Sequence, residues 1–132
     1  MILLDTHVWI WWLLGTGQLS TKQRTKLDEL AQNKQLALSW GSTWEVEMLE
    51  RKSKISLNIP FDEWISKASS SEFMNVIGVD TKLVLAQRKL PESFHSDPAD
   101  RLIVTTARLL SVPLATFDFK IIQSASVEIW EA

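Results

Sequence analysis

Cysteine is absent from the 132 residues, which excludes disulfides, zinc thiolate centres and cysteine nucleophiles and leads us to expect a reducing, cytoplasmic setting. Histidine is scarce too. With two in the chain, a histidine-built metal centre has few ligands to draw on. Long apolar runs are missing: the richest stretch, Val8 to Leu14, falls short of the roughly eighteen residues of a membrane span. The apolar start Ile2-Leu3-Leu4 is interrupted by Asp5 and lacks a basic leader or small-residue cleavage site, so it does not read as a signal peptide. A soluble protein away from membranes is expected. Positive charge is not in excess either. Sixteen acids against fourteen bases give a net charge of −2, which argues against binding nucleic acid through overall charge. There is no repeat, low-complexity tract or linker. At this length, with 45% apolar residues, the chain can close one core without staples, so a single domain over residues 1–132 is expected.

What is present alternates between buried strands and helices. Ile2-Leu3-Leu4 reads as a strand running through Asp5-Thr6 into a helix that ends before Gly15. Ser20 can cap a helix with Leu27, Leu30 and Ala31 on its apolar face, and Leu36-Ala37-Leu38 reads as the next strand. Helical patterning follows from Ser42 to Lys52, with Glu47/Arg51 and Glu50/Lys54 at ion-pair spacing. After Pro60, residues 61–71 read as an amphipathic helix with Phe61, Trp64, Ile65 and Ala68 inward, and Val76 to Val79 as a strand. Asp80 can cap a helix to Leu90, Asp97-Pro98 opens another through Leu110, Pro113 to Phe117 is a strand closed by Asp118, and Val127 to Trp130 is a last short strand. This order predicts an α/β fold with a mostly parallel central sheet and helices on both faces.

In such a sheet, sites form outside the carboxyl ends of the strands. Asp5 follows the first strand and Asp118 the penultimate one; Glu45, Asp97 and Asp100 lie near the starts of helices that can face the same edge. Five carboxylates can therefore converge. Gathered carboxylates raise one another's pKa unless divalent cations occupy the cluster, and a hard oxygen donor set favours magnesium or manganese over zinc. Such ions can activate water and stabilise charge on a phosphodiester. Local roles compete with this. Asp97-Pro98-Ala99-Asp100 has the form of a helix start, and Ser42-Thr43-Trp44-Glu45 that of a capping box. For Asp5 a local explanation is less economical, because a carboxylate directly after an apolar strand needs a partner and Asp118 stands at another strand end. Thr6 and Thr116 stand beside Asp5 and Asp118 as supporting hydroxyls. His7 and His95 are assigned no catalytic role. Seven tryptophans exceed what one small core needs. Trp9, Trp12 and Trp44 are expected in the core, with Trp11, about 100° from Trp12 around the helix, turned toward a contact surface.

Leu4-Asp5-Thr6-His7, Trp44-Glu45, Asp97-Pro98-Ala99-Asp100-Arg101-Leu102-Ile103 and Leu114-Ala115-Thr116-Phe117-Asp118 together resemble the PIN-domain family and, more narrowly, the VapC toxins of bacterial toxin-antitoxin pairs. The likeness extends over almost the whole chain. It implies a three-layer PIN-like fold and a magnesium- or manganese-dependent endoribonuclease, in which Asp5, Glu45, Asp100 and Asp118 match the family's acidic positions and Asp97 is an extra acid of one subgroup. It also implies a homodimer and a small cognate antitoxin. The chain departs from the family at Leu49, where a lysine is common, and at Ser53-Lys54, where a Gly-Lys turn is. Arg51, Lys52, Lys54 and Arg101 are the candidate phosphate contacts. Two alternatives stay open: a non-catalytic interaction module of the same fold, and a metal-dependent phosphatase with Asp5 as nucleophile, whose usual second Asp is replaced here by His7.

Overall fold

The computed structural model describes residues 1–132. Along the chain run β1 (Ile2–Leu4), α1 (Thr6–Leu14), α2 (Thr21–Gln32), β2 (Leu36–Ser39), α3 (Trp40–Arg51), α4 (Phe61–Ala68), β3 (Asn75–Ile77), α5 (Thr81–Gln87), α6 (Pro98–Leu110), β4 (Leu114–Ala115) and α7 (Phe119–Ser124). The four strands lie in the order β3-β2-β1-β4, every neighbouring pair parallel. Leu3 at the centre of β1 pairs with Ala37 on one side and Leu114 on the other, which aligns the carboxyl ends of the strands along one edge.

The two-residue period of the strands sorts their side chains into two cores. Ile2, Leu4, Leu36, Leu38 and Ala115 face a layer built from Trp9 of α1, Leu27 and Ala31 of α2, Val46 of α3, and Trp64 and Ala68 of α4. Leu3, Ala37 and Leu114 face the opposite layer, where Ile103, Val104 and Ala107 of α6 meet Ile121 of α7 and the loop residues Leu90 and Phe94. The α5 helix packs along α6. Helices therefore cover both faces, the three-layer α/β arrangement expected from the alternation of elements.

Short-range chemistry sets most helix starts. Asp5, Ser20, Asp80, Asp97 and Asp118 each accept a backbone N–H in the first turn that follows, and Ser20 with Gln23 completes a reciprocal box. Pro98 occupies the first turn of α6, where its missing N–H costs nothing. After α1 the chain turns through Gly15 and Gly17, both at positive φ. A Cβ at Gly17 would collide with the Trp11 indole, so only glycine lets that ring lie against the turn.

Several expectations need correction. The α3 helix begins two residues before Ser42 and is capped by Ser39, whose Oγ accepts from the Gly41 N–H at 3.0 Å. Ser42 is thus inside the helix and buried, and the Ser42/Glu45 capping box does not form. Trp44 is not a core residue. It lies exposed and stacked on Trp40, because it falls on the face of α3 turned away from Val46. Trp9 is fully buried with its Nε1 donating to the Ala68 carbonyl, and Trp12 is half-buried with Nε1 donating to Asp28. Glu47 and Arg51 pair at 2.9 Å, whereas Lys54 lies beyond the end of α3 and does not meet Glu50. The last strand shrinks to a parallel bridge between Leu114 and Ile129. The short α7 had no apolar periodicity long enough to announce it.

Candidate active site

Asp5 ends β1 and caps α1, so its carboxylate is fixed by the step from strand to helix. The residue is 3% exposed. Its two oxygens are both engaged: Oδ1 accepts from the Thr6 N–H at 2.7 Å and Oδ2 from the Thr116 hydroxyl at 2.6 Å. Thr116, just past β4, in turn accepts the Asp118 N–H at 3.0 Å. Parallel pairing of β1 with β4 therefore joins residues 111 positions apart into one hydrogen-bonded chain. Thr6 donates its hydroxyl to the buried Ser42 Oγ at 2.8 Å, which ties the start of α1 to the first turn of α3.

Glu45 stands one turn further along α3, facing Asp5 and Asp100. Burial pushes its carboxyl above the usual range and repulsion from Asp5 and Asp100 adds to the rise, while the neighbouring Thr6 and His7 partly offset it. Asp5 is also raised, chiefly by burial and in smaller part by Asp118, against the lowering influence of its hydrogen bonds and of His7. Asp100, in the first turn of α6, is pushed up to about 6 by burial and by Asp97, Asp5 and Asp118. His95 offsets part of that rise through a 2.6 Å contact between Nε2 and Asp100 Oδ2. The edge thus holds three carboxyl groups that each resist ionisation, with others close enough to reinforce the resistance. No three of the acids and histidines are drawn together into a ready-made cage for a cation.

Asp97 and Asp118 keep their local roles beside the group. Asp97 Oδ1 accepts the Asp100 N–H at 3.1 Å, and Asp118 Oδ1 accepts the Lys120 and Ile121 N–H groups. Between Asp5 and Asp118 opens a hollow of about 210 Å³ lined also by His7, Trp11, Gln18 and Phe117. The basic residues named from the sequence form no ion pair with Asp5, Glu45, Asp97, Asp100 or Asp118. Arg51 pairs with Glu47, Lys52 and Lys54 follow the far end of α3, and Arg101 donates to the Gln87 carbonyl at 3.1 Å. By contrast, His95 and His7 were passed over and both reach the site. Sequence spacing gave no signal for His95, because irregular backbone through Ser96 and Asp97 brings it back onto Asp100.

Comparison with known proteins identifies the family and the fold. Residues 2–126 match the PIN domain family. Over 106 residues the chain is 32% identical to Ribonuclease VapC22 of Mycobacterium tuberculosis, covering 80% of this chain and 78% of that protein. VapBC2 from Rickettsia felis, solved with a promoter DNA fragment, shares the fold at a TM-score of 0.71 with 18% identity over 98% of each chain. FitAcB from Neisseria gonorrhoeae gives 0.70 with 20% identity over 99% of this chain and 97% of that one. A toxin-antitoxin complex from Klebsiella pneumoniae gives 0.64 with 22% identity, over 98% and 100% of the respective chains. The structural likenesses speak for the fold, and the match over nearly the whole sequence decides the rest: the chain belongs to the PIN domain family.

Proposed function

We propose that this protein is a VapC-type toxin, an endoribonuclease that hydrolyses RNA phosphodiester bonds as one nuclease domain over residues 1–132 with magnesium or manganese as its cofactor. The observation that carries the reading is the group Asp5, Glu45 and Asp100, three carboxyl groups at one sheet edge that burial and mutual repulsion hold above their usual range. Such a group is costly to ionise alone and fits a hard divalent cation, which offsets the repulsion. Without a ready-made cage, the donor set suits an ion that takes one or two carboxylates and keeps much of its water, as magnesium does. Asp5 and Asp100 would hold it, with Asp97 and Asp118 supporting directly or through water. When bound, the ion supplies charge neutralisation at the phosphate and lowers the cost of deprotonating a water.

The chain's own residues do the remaining work. Thr6 N–H and the Thr116 hydroxyl fix the Asp5 carboxylate, and His95 fixes that of Asp100. Glu45, raised and half-buried, takes the proton of the attacking water, whose oxygen forms the new bond to phosphorus as the bond to the leaving oxygen breaks. The same reading gives the protein a cognate antitoxin and a twofold homodimer. It is supported by the 32% identity to a VapC ribonuclease and by a set of exposed apolar side chains, among them Trp40, Trp44, Leu85 and Phe119. No helix is long and apolar enough to cross a membrane.

An RNA pool and a phosphomonoester, each supplied with magnesium or manganese, test the activity. Cleavage of RNA alone, lost in Glu45→Gln without loss of thermal stability, is the expected result. Intact RNA under both metals would turn the reading toward an interaction module, and hydrolysis of the monoester alone toward a phosphatase.

A further inference from the structure

We propose that a second hollow beside the carboxylates, lined by Ser93, Phe94, His95, Lys120, Gln123 and Ser124, is a subsite for the RNA strand on one side of the scissile bond, with Lys120 as its phosphate contact. The inference rests on the ribonuclease reading above and names where the strand lies. The hollow measures about 320 Å³, at the lower end of the roughly 300 to 1,000 Å³ of small-ligand sites and large enough for part of a nucleotide.

Its position follows from two of the site's own acids. His95 forms part of its wall and is bonded to Asp100 at 2.6 Å. The hollow is therefore one imidazole ring away from the Asp100 carboxylate, within reach of a neighbouring nucleotide. Asp118 accepts the backbone N–H of Lys120 at 2.9 Å, which fixes the root of that side chain at the same edge. A strand cleaved at the carboxylates has to leave them in some direction, and here the walls are suited to it.

The lining is chemically specific. The lining residues carry one ammonium, one amide, one imidazole and one phenyl ring, with the Ser93 hydroxyl beside them; the Ser124 hydroxyl is taken up by the Ile121 carbonyl and the Ser126 N–H. That set offers partners to phosphate, ribose hydroxyls and base edges. Lys120 is exposed and has no ion-pair partner, so its charge is free for an anion. Of the bases named from the sequence, Arg51 is paired, Arg101 is bonded to a carbonyl, and Lys52 and Lys54 follow the far end of α3. A negatively charged chain needs a cation near the acids, and Lys120 supplies it from the surface.

The test is equilibrium binding of a short fluorescent single-stranded RNA to the full chain, with calcium in place of magnesium to hold turnover back, alongside cleavage in magnesium. Lys120→Gln is expected to bind several-fold more weakly and to lose about 0.7 from the slope of log affinity against log salt, the share of one phosphate contact on a single strand. Gln123→Ala should weaken binding less and leave the slope alone. Lys26→Gln, which removes the same charge from α2, controls for net charge. Both Lys120 and Gln123 are exposed, so folding is not at issue, and unchanged melting temperatures confirm it. Unaltered affinity and slope in Lys120→Gln would overturn the subsite even if wild-type protein cleaves RNA. Weakened binding with no wild-type cleavage would keep the strand contact and remove the ribonuclease reading. An acidic peptide that displaces nothing from wild-type protein supports RNA as occupant; one that binds through Lys120 while RNA does not would overturn it.

Discussion

At the carboxyl edge of the sheet the side chains hidden from water are Asp5, Ser39 and Thr116, whereas one residue earlier in each strand they are Leu4, Leu38 and Ala115. A single step along the backbone separates two regions with opposite energetics. The apolar residues stabilise the fold by leaving water, at about 25 cal/mol per Å² of surface buried. The polar ones at best recover what their burial costs, through bonds such as Thr116 to Asp5 and Thr6 to Ser42. The carboxyl groups do not recover it fully, which is why Asp5, Glu45 and Asp100 are all raised. The difference teaches that the sheet edge is maintained by the layers beneath it and is arranged for binding and chemistry.

Adjacent substitutions at the end of β1 put that contrast under the greatest strain. Asp5→Asn should reduce RNA cleavage to background, yet leave the metal-free melting temperature unchanged or higher, because the amide still accepts the Thr6 N–H and carries no buried charge. A markedly lower melting temperature would mean that the edge contributes to stability after all. Leu4→Ala, one residue away, should cost about 2–5 kcal/mol in denaturant unfolding, the range for emptying a packed leucine site.

Titration separates the two regions next. Asp100 ionises at about 6 in the folded chain against 3.8 ordinarily, so between those values the unfolded chain has already released a proton that the folded one retains. The contribution of Asp100 to the stability of the metal-free protein should therefore be fully present below pH 3.8 and be lost as pH rises through about 6, by an amount on the order of 2 kcal/mol once its partial exposure to solvent is discounted. Asp5 and Glu45, raised in the same sense, add to the fall. Unfolding midpoints across this window check it, and Asp100→Asn should flatten the slope. A rise in stability over the same range would contradict the raised carboxyl groups.

The smallest effects distinguish buried from exposed polarity along α3. Ser42→Ala removes the acceptor of the Thr6 hydroxyl and should cost about 1 kcal/mol, though it caps nothing. Arg51→Ala breaks an exposed pair with Glu47 and should cost less than about 0.5 kcal/mol. Thermal or chemical unfolding of both variants side by side would show whether the difference holds.

The sequence carried the strands and helices where pattern and caps coincide, as at Ser20, Asp80 and Asp97-Pro98. It misplaced the start of α3, because Ser39 and Ser42 are both plausible caps and only the register of β2 shows where the strand stops. Trp44 was misread as core for a related reason: an indole suits an interior anywhere, but the helix face it occupies depends on where the helix begins. The acidic positions were recognisable from their places after strands and at helix starts. The histidine tied to Asp100 was not, since the irregular backbone between them has no period to read.

What the sequence determined by itself is local: which residues alternate, which side chain can cap the next turn, and which acids follow an apolar run, all set by atoms within a few residues of one another. The tertiary structure decided everything that depends on distant partners. Thr116 reaches Asp5 and Ser42 receives Thr6 because parallel crossovers place the ends of β1, β2 and β4 side by side. The same folding pairs Arg51 with Glu47, brings His95 onto Asp100 and sets Lys120 with His95 in the wall of one hollow. The physical reason is that charge repulsion and burial act through space, so a carboxyl group's environment exists only once the sheet has brought its neighbours together.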